Sequence, residues 1–249
     1  MSLIEVQGVS HRFADGTVAL RGVTLAIAEG ELVLLAGRNG SGKTVLMKHL
    51  NGLLKPTEGR ILLEGRPIEE DLPDTRRKIG LVFQDPDAQL IGQTVAEEVA
   101  FGPENLRLPA EEVERRVEAA LAAVGLSKLA GHVPRRLSGG EKRRLAVAGV
   151  LVMEPRVIIF DEPFSGLDYP GVRQVLREIL RLHGEGRTIV VITHEIEKML
   201  GHATRLVIMD GGCIACDGRP ADLLDRLEAH GIRRPAVNGQ GVAGVTWLR

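Results

Sequence analysis

No apolar run in the 249-residue chain approaches the roughly 18–20 residues that a membrane-crossing helix needs. The longest, such as 32–36 and 157–160, are strand-sized. The opening Met1-Ser2-Leu3-Ile4-Glu5 has no basic region followed by a long apolar stretch. That argues against a signal peptide, and a cytosolic location is expected. Any role at a membrane then requires other chains to cross it. Neither sign of charge dominates: Lys and Arg number 32 and Asp and Glu 33, for a net charge of −1. Nucleic acid and anionic lipid are therefore not expected as main partners. Cysteine is nearly missing, with only Cys213 and Cys216. A structural zinc needs four ligands, and no second Cys or His pair lies nearby. The two are expected to be inert residues of a short hairpin, with a redox pair as the alternative. Internal repeats and low-complexity tracts are absent.

At 26.9 kDa the chain fits one large α/β domain, or one core carrying an inserted subdomain. Short apolar runs alternate with helical patterns, the mark of a parallel sheet flanked by helices. Residues 3–9, 18–27 and 60–64 alternate or carry β-branched side chains and predict an antiparallel sheet beside the main one. Residues 31–36, 79–83, 157–161, 188–193 and 205–209 predict buried strands, and a helix is expected from about Lys43. Strand signals stop between Thr94 and Leu137, where Val113, Val117, Leu121 and Val124 fall at helical spacing. An inserted helical subdomain is expected over about 86–154, including a helix over 139–152 with Ser138 as its N-cap. The main domain is expected over 1–234. The stretch 235–249 is rich in Gly and Val, has no clear period and suggests no role.

The chemistry is concentrated in three places. Gly37-Arg-Asn-Gly-Ser-Gly-Lys43-Thr44 matches G-x-x-x-x-G-K-[ST], between a buried strand and a helix. Gly37, Gly40 and Gly42 let the backbone curl so that the N–H groups of the Asn39–Ser41 turn point at phosphate oxygens. The helix N-terminus adds partial positive charge. Lys43 is placed to reach the terminal phosphates of ATP, and Thr44 to ligate Mg²⁺. The run 157–162 ends in Asp161 and Glu162. Asp161 is suited to hold the Mg²⁺ and Glu162, one residue on, to polarise an attacking water; a plain capping pair of acids is the alternative. Ser138, Gly139 and Gly140 at a helix start make a second phosphate-binding device. One ATP does not need two cradles from one chain. Two chains facing head to tail would set the second over the partner's nucleotide; an ordinary helix cap is the alternative.

With these motifs in order, the chain resembles the ABC ATPases over nearly all its length. The remaining elements are Gln84 in Val82-Phe83-Gln84, the Ser165-Gly166-Leu167-Asp168 loop, and His194 after Val190-Val191-Ile192-Thr193. The resemblance implies a P-loop α/β core with an antiparallel β subdomain and an inserted α-helical subdomain. It implies ATP hydrolysis with Mg²⁺. Gln84 would contribute to Mg²⁺ and water and sense a membrane partner. Asp168 would link the two sites of a dimer, and His194 would contact the γ-phosphate and hold the water and Glu162. Phe13 matches the aromatic that stacks on adenine; tyrosine is commoner there, and a phenyl face serves the same purpose.

A narrower likeness lies in the P-D-x-Q run 86–89, in the stretch from Thr94 to Pro103, and in 49–57. These resemble the energy-coupling factor ATPases, which serve importers of cobalt, nickel and vitamins. Departures are small: Arg38 stands where proline is frequent, Thr44 where serine is, and Glu195 where aspartate is. The implied partners are a second copy or a paralogous ATPase in a head-to-tail dimer, a transmembrane coupling subunit and a substrate-binding membrane subunit. The implied location is the cytoplasmic face of the membrane. The rival readings are a soluble ABC ATPase of nucleic-acid repair or translation and the ATPase of an exporter.

Overall fold

The computed structural model describes residues 2–85, 90–237 and 239–248. The P-D-x-Q run 86–89 lies outside them. Two sheets form. The smaller has the strand order β2-β1-β4-β5, built from β1 (Ser2–Arg12), β2 (Val18–Ala28), β4 (Glu58–Leu63) and β5 (Arg66–Pro67), with antiparallel neighbours. The larger has the order β10-β9-β3-β8-β7-β6. It comprises β3 (Leu32–Gly37), β6 (Ile79–Val82), β7 (Val157–Asp161), β8 (Thr188–Ile192), β9 (Arg205–Asp210) and β10 (Cys213–Gly218). All neighbours in it are parallel except the β9–β10 hairpin.

The large sheet is buried on both faces, which is why its strands read as unbroken apolar runs. Side chains alternate between two cores. Leu32, Leu34, Ile158, Phe160, Ile189 and Val191 enter one. Their neighbours Val33, Leu35, Val157, Ile159, Val190 and Ile192 enter the other. The second core is closed by the antiparallel sheet and by Leu46, Met47 and Leu50 of α1 (Lys43–Leu50). The first is closed by α3 (Val95–Asn105), α4 (Ala110–Ala123), α5 (Gly139–Leu151) and α6 (Tyr169–Gly184). The short helices α2 (Leu72–Lys78) and α7 (Pro220–Leu223) complete the described set.

Helix starts follow the capping rules. Thr94 accepts from Glu97 N at the head of α3. Ser138 and Glu141 form a reciprocal capping box at the head of α5. Asp168 accepts from Gly171 N at 2.9 Å, with Pro170 in the first turn of α6.

Candidate active site

The parallel strands β3, β8 and β7 lie side by side, with Leu35 opposite Ile192 and Ile192 opposite Asp161. The ladder continues past their ends: Thr193 N donates to Leu35 O at 3.2 Å, and Glu162 N to Ile192 O at 2.8 Å. The chemistry-bearing residues that follow each strand are thereby gathered at one sheet edge, where open α/β sheets bind ligands.

The loop from Gly37 to Lys43 is fixed by close approach. A Cβ on Gly37 would stand 2.4 Å from Met209 O, and one on Gly42 2.7 Å from Ala19 O, so both positions require glycine. Lys43, buried at the head of α1, folds over the loop and donates to Gly37 O at 2.8 Å and Arg38 O at 3.1 Å. Burial pushes its ammonium below the ordinary lysine range, with the nearby Glu162 and Asp161 charges partly opposing. The buried Ser41 hydroxyl has no hydrogen-bond partner among the described residues. A curled backbone, a buried ammonium hydrogen-bonded to carbonyls and an orphaned hydroxyl suit a polyanion.

At the foot of this loop Thr44 Oγ1 lies 3.3 Å from Asp161 Oδ2. Burial raises the Asp161 carboxyl above its usual range; the Thr44 hydroxyl opposes this and the Glu162 charge adds to it. A hydroxyl oxygen beside a desolvated carboxylate makes a pair of hard oxygen ligands that fits Mg²⁺. Gln84 is not gathered with them, because its Nε2 donates to Ser165 Oγ at 3.2 Å.

Glu162 adopts φ 46°, in the left-handed region, a conformation uncommon for a side chain of this size. Its buried carboxylate accepts from three donors: Thr193 Oγ1 at 2.9 Å, His194 N at 3.2 Å and His194 Nδ1 at 2.8 Å. Nδ1–H is spent on the carboxylate, which leaves Nε2 on the exposed side of the ring. A carboxylate so oriented beside the phosphate loop can take a proton from water.

Phe13 is 39% exposed at the end of β1, the open apolar face a purine needs. Its ring meets His11 edge-on at 4.7 Å, and His11 in turn meets the fully buried His49 of α1, Nδ1 to Nε2 at 3.0 Å. The two histidines tie the Phe13 shelf to the helix that carries Lys43. The hydrogen bonds of Ser138 stay within its own cap, and Gly140 borders a cleft toward α6 with Arg143 and Leu167. Asp168 caps α6.

Two contributors escape sequence reading. Thr193 orients Glu162 and, through its hydroxyl, also accepts from Glu195 N at 3.0 Å. Arg143 is buried on α5 and donates to the carbonyls of Pro163, Ser165 (3.1 Å) and Gln84 (3.3 Å). It joins α5 to the segments after β6 and β7. Its position in a Lys-Arg-Arg run gave no signal, since such runs usually face solvent.

A model of the ABC transporter family matches residues 20–165. The energy-coupling factor transporter ATP-binding protein EcfA of Methanocaldococcus jannaschii is 42% identical over 243 residues, covering 95% of this chain and 87% of that protein. Among solved structures, cbiO1 of Clostridium perfringens, part of the ABC transporter complex cbiONQ, superposes with a TM-score of 0.82 at 38% identity, covering 92% of each chain. The ATP-binding cassette MJ0796, solved as a dimer in a post-hydrolysis state with ADP and Pi, gives 0.78 at 29% identity, covering 87% of this chain and 98% of that one. The chain belongs to the ABC transporter ATPases and is the ATP-hydrolysing subunit of an energy-coupling factor type transporter.

Proposed function

We propose that the chain binds MgATP between two copies of itself and uses hydrolysis to drive import of a transition metal ion, cobalt or nickel, or of a vitamin. The observation that carries the chemical reading is the Glu162 carboxylate, held by Thr193 and His194 beside the Lys43 loop. Gly37–Thr44 cradle the phosphates, with Asn39, Gly40, Ser41 and Gly42 supplying backbone donors and Lys43 the charge. Glu162 accepts the proton of the attacking water, and His194 fixes that carboxylate and faces the γ-phosphate. Thr44 and Asp161 would hold Mg²⁺, and Gln84 could join them only if its amide left Ser165. When bound, the ion would supply charge neutralisation for the transferring phosphoryl group. Ser138 and Gly140 of one copy close over the nucleotide of the other, and Asp168 joins the two sites. The helical subdomain expected over about 86–154 is represented among the described residues by 90–154. No stripe of positive charge argues for nucleic acid.

Phe13 is the adenine platform in this reading. Phe13→Ala is expected to weaken ATP binding about 3–10-fold, the worth of one ring contact, while Lys43→Ala costs more. Titration with a fluorescent nucleotide checks both; equal affinity in Phe13→Ala removes the platform.

Among the described residues no helix is long and apolar enough to cross a membrane, so transport needs partner chains. We place this subunit at the cytoplasmic face, docked on a transmembrane coupling subunit that works with a substrate-binding one. The surface that supports this is a groove of about 220 Å³ between the core and the helices, lined by Asn51, Leu53, Phe83 and Met153. Leu53 is 45% exposed there. Leu53→Arg is expected to keep basal ATPase within about threefold, under roughly 1 kcal/mol, and to abolish co-purification with the transmembrane partner. Undiminished co-purification and uptake in reconstituted vesicles would move the docking surface elsewhere.

A further inference from the structure

The hairpin that closes the large sheet places three residues in a relay. Cys216, half-buried on β10, has its Sγ 3.6 Å from Nε2 of His230. His230, in the turn Glu228–His230, has its Nδ1 3.0 Å from Oδ2 of Asp210, the last residue of β9. A carboxylate only accepts, so Nδ1 carries the proton and the Nε2 lone pair faces the thiol. Nucleophile, base and base-orienting acid thus stand in a line, the arrangement that activates a cysteine. The sulfur and the carboxylate oxygen use opposite nitrogens of one ring, so a single metal ion cannot take both. Cys213 provides a contrast on the same strand: among the described residues its Sγ hydrogen-bonds to a carbonyl, Arg21 O at 3.5 Å. Among the seven histidines of the chain, His230 therefore acquires a chemical setting that its sequence neighbourhood did not suggest.

The relay borders the phosphate loop on two sides. After Asp210 the chain turns through Gly211 and Gly212, and Gly212 N donates to Ser41 O at 3.2 Å. After His230 comes Gly231, where an added Cβ would stand 2.5 Å from Cδ of Arg38. A group attached to Cys216 would press on the His230 ring, 3.6 Å away, and both connections lead from there into Gly37–Thr44.

We propose that Cys216 is an activated thiol that exchanges with low-molecular-weight disulfides, and that the resulting mixed disulfide weakens nucleotide binding. His230 Nε2 takes the thiol proton and Asp210 stabilises the imidazolium. The Cys216 thiolate then attacks one sulfur of the disulfide, the S–S bond of the reagent breaks, and its other half leaves as a thiolate. The net change is one thiol for another, and no further oxidant is required.

The test uses dithiobis-nitrobenzoate, whose released thiolate is coloured. In Cys213→Ser protein, where only Cys216 reacts, the rate is expected to exceed that of Cys216→Ser protein by about 10-fold or more. Adding His230→Asn is expected to bring Cys216 down to the Cys213 rate. Asp210→Asn, which preserves shape, is expected to slow it in a protein of unchanged melting temperature. Stoichiometric modification of Cys213→Ser protein is expected to weaken ATP binding at least about threefold, reversibly with dithiothreitol. Equal rates for the two cysteines, no response to His230→Asn and Asp210→Asn, or unchanged ATP affinity after full modification would each overturn the proposal. The affinity arm rests on Gly37–Thr44 as the phosphate cradle. Lys43→Ala separates the two: normal ATP affinity in that variant would sink the cradle and leave the thiol rates to stand or fall alone.

Discussion

Glu162→Gln is expected to lower steady-state ATP hydrolysis by about 10²-fold or more, near 2.7 kcal/mol of barrier, while ATP still binds. The substitution keeps size and shape. The amide oxygen can still accept from His194 N, and the Thr193 hydroxyl can rotate to accept from the new amide nitrogen, in place of the 2.9 Å bond it now donates. What disappears is the carboxylate's ability to take a proton. The Lys43 loop and the Thr44–Asp161 pair are untouched, so an ATP-bound dimer should accumulate. Phosphate release at saturating ATP measures the effect. Turnover close to that of the parent would mean that another group activates the water.

Ser138→Arg is expected to cost about 10²-fold in hydrolysis, comparable to losing a phosphate-stabilising donor. Its ATP affinity as a monomer is expected to stay within about threefold. Ser138 and Glu141 satisfy one another at the start of α5, so nothing in the isolated chain asks for a phosphate there. The same cap complicates a simple loss of activity, since removing it costs about 0.5–2 kcal/mol of helix stability. Ser138→Asn resolves this: asparagine caps a helix well and its amide can still donate to Glu141, but it is too large to sit where a hydroxyl meets a phosphate. If both variants bind ATP and neither hydrolyses it, Ser138 acts on the partner's nucleotide. An active Ser138→Asn protein would reduce it to a helix cap.

The large sheet was legible because each of its central strands is buried on both faces. The unbroken apolar runs at 32–36 and 157–160 leave little choice of structure, and the side chains of β3, β7 and β8 divide between two cores. Strand ends were less well bounded. β1, between β2 and β4, runs on through Ser10, His11 and Arg12, with irregular register against β2, because polar residues carry no core signal in the sequence. The Gly37–Thr44 loop and the acids at the end of β7 stood out because their residue types and spacing match a phosphate-binding motif and its acidic partner. The contacts that hold them did not. Arg143 binds carbonyls at 84, 163 and 165, far apart in sequence. Glu162 needs an unusual φ that no motif prints.

The stretch after 235 suggested nothing, yet Trp247 packs against Lys198 at 4.9 Å and Tyr169 at 5.5 Å. Thr246 meets His202 at 2.7 Å. Residues 242–248 thereby brace the segment that follows His194, a role set by tertiary contact alone. Pairings of this kind lie beyond local pattern, as does the Cys216–His230–Asp210 line, whose members come from two strands and a turn.

The central claim is that each ATP is hydrolysed between two copies of the chain, with the phosphate loop of one and Ser138 of the other. Mixing Lys43→Ala protein with Ser138→Arg protein tests it most directly. Each alone forms only sites with a defect. In the mixed dimer one site joins an intact loop to an intact Ser138, and the other collects both defects. The expected result is recovery, at equal amounts, of about one quarter of the parent's ATPase per subunit, from half the dimers with one working site each. A mixture as inactive as its two components at every protein concentration would contradict the shared site.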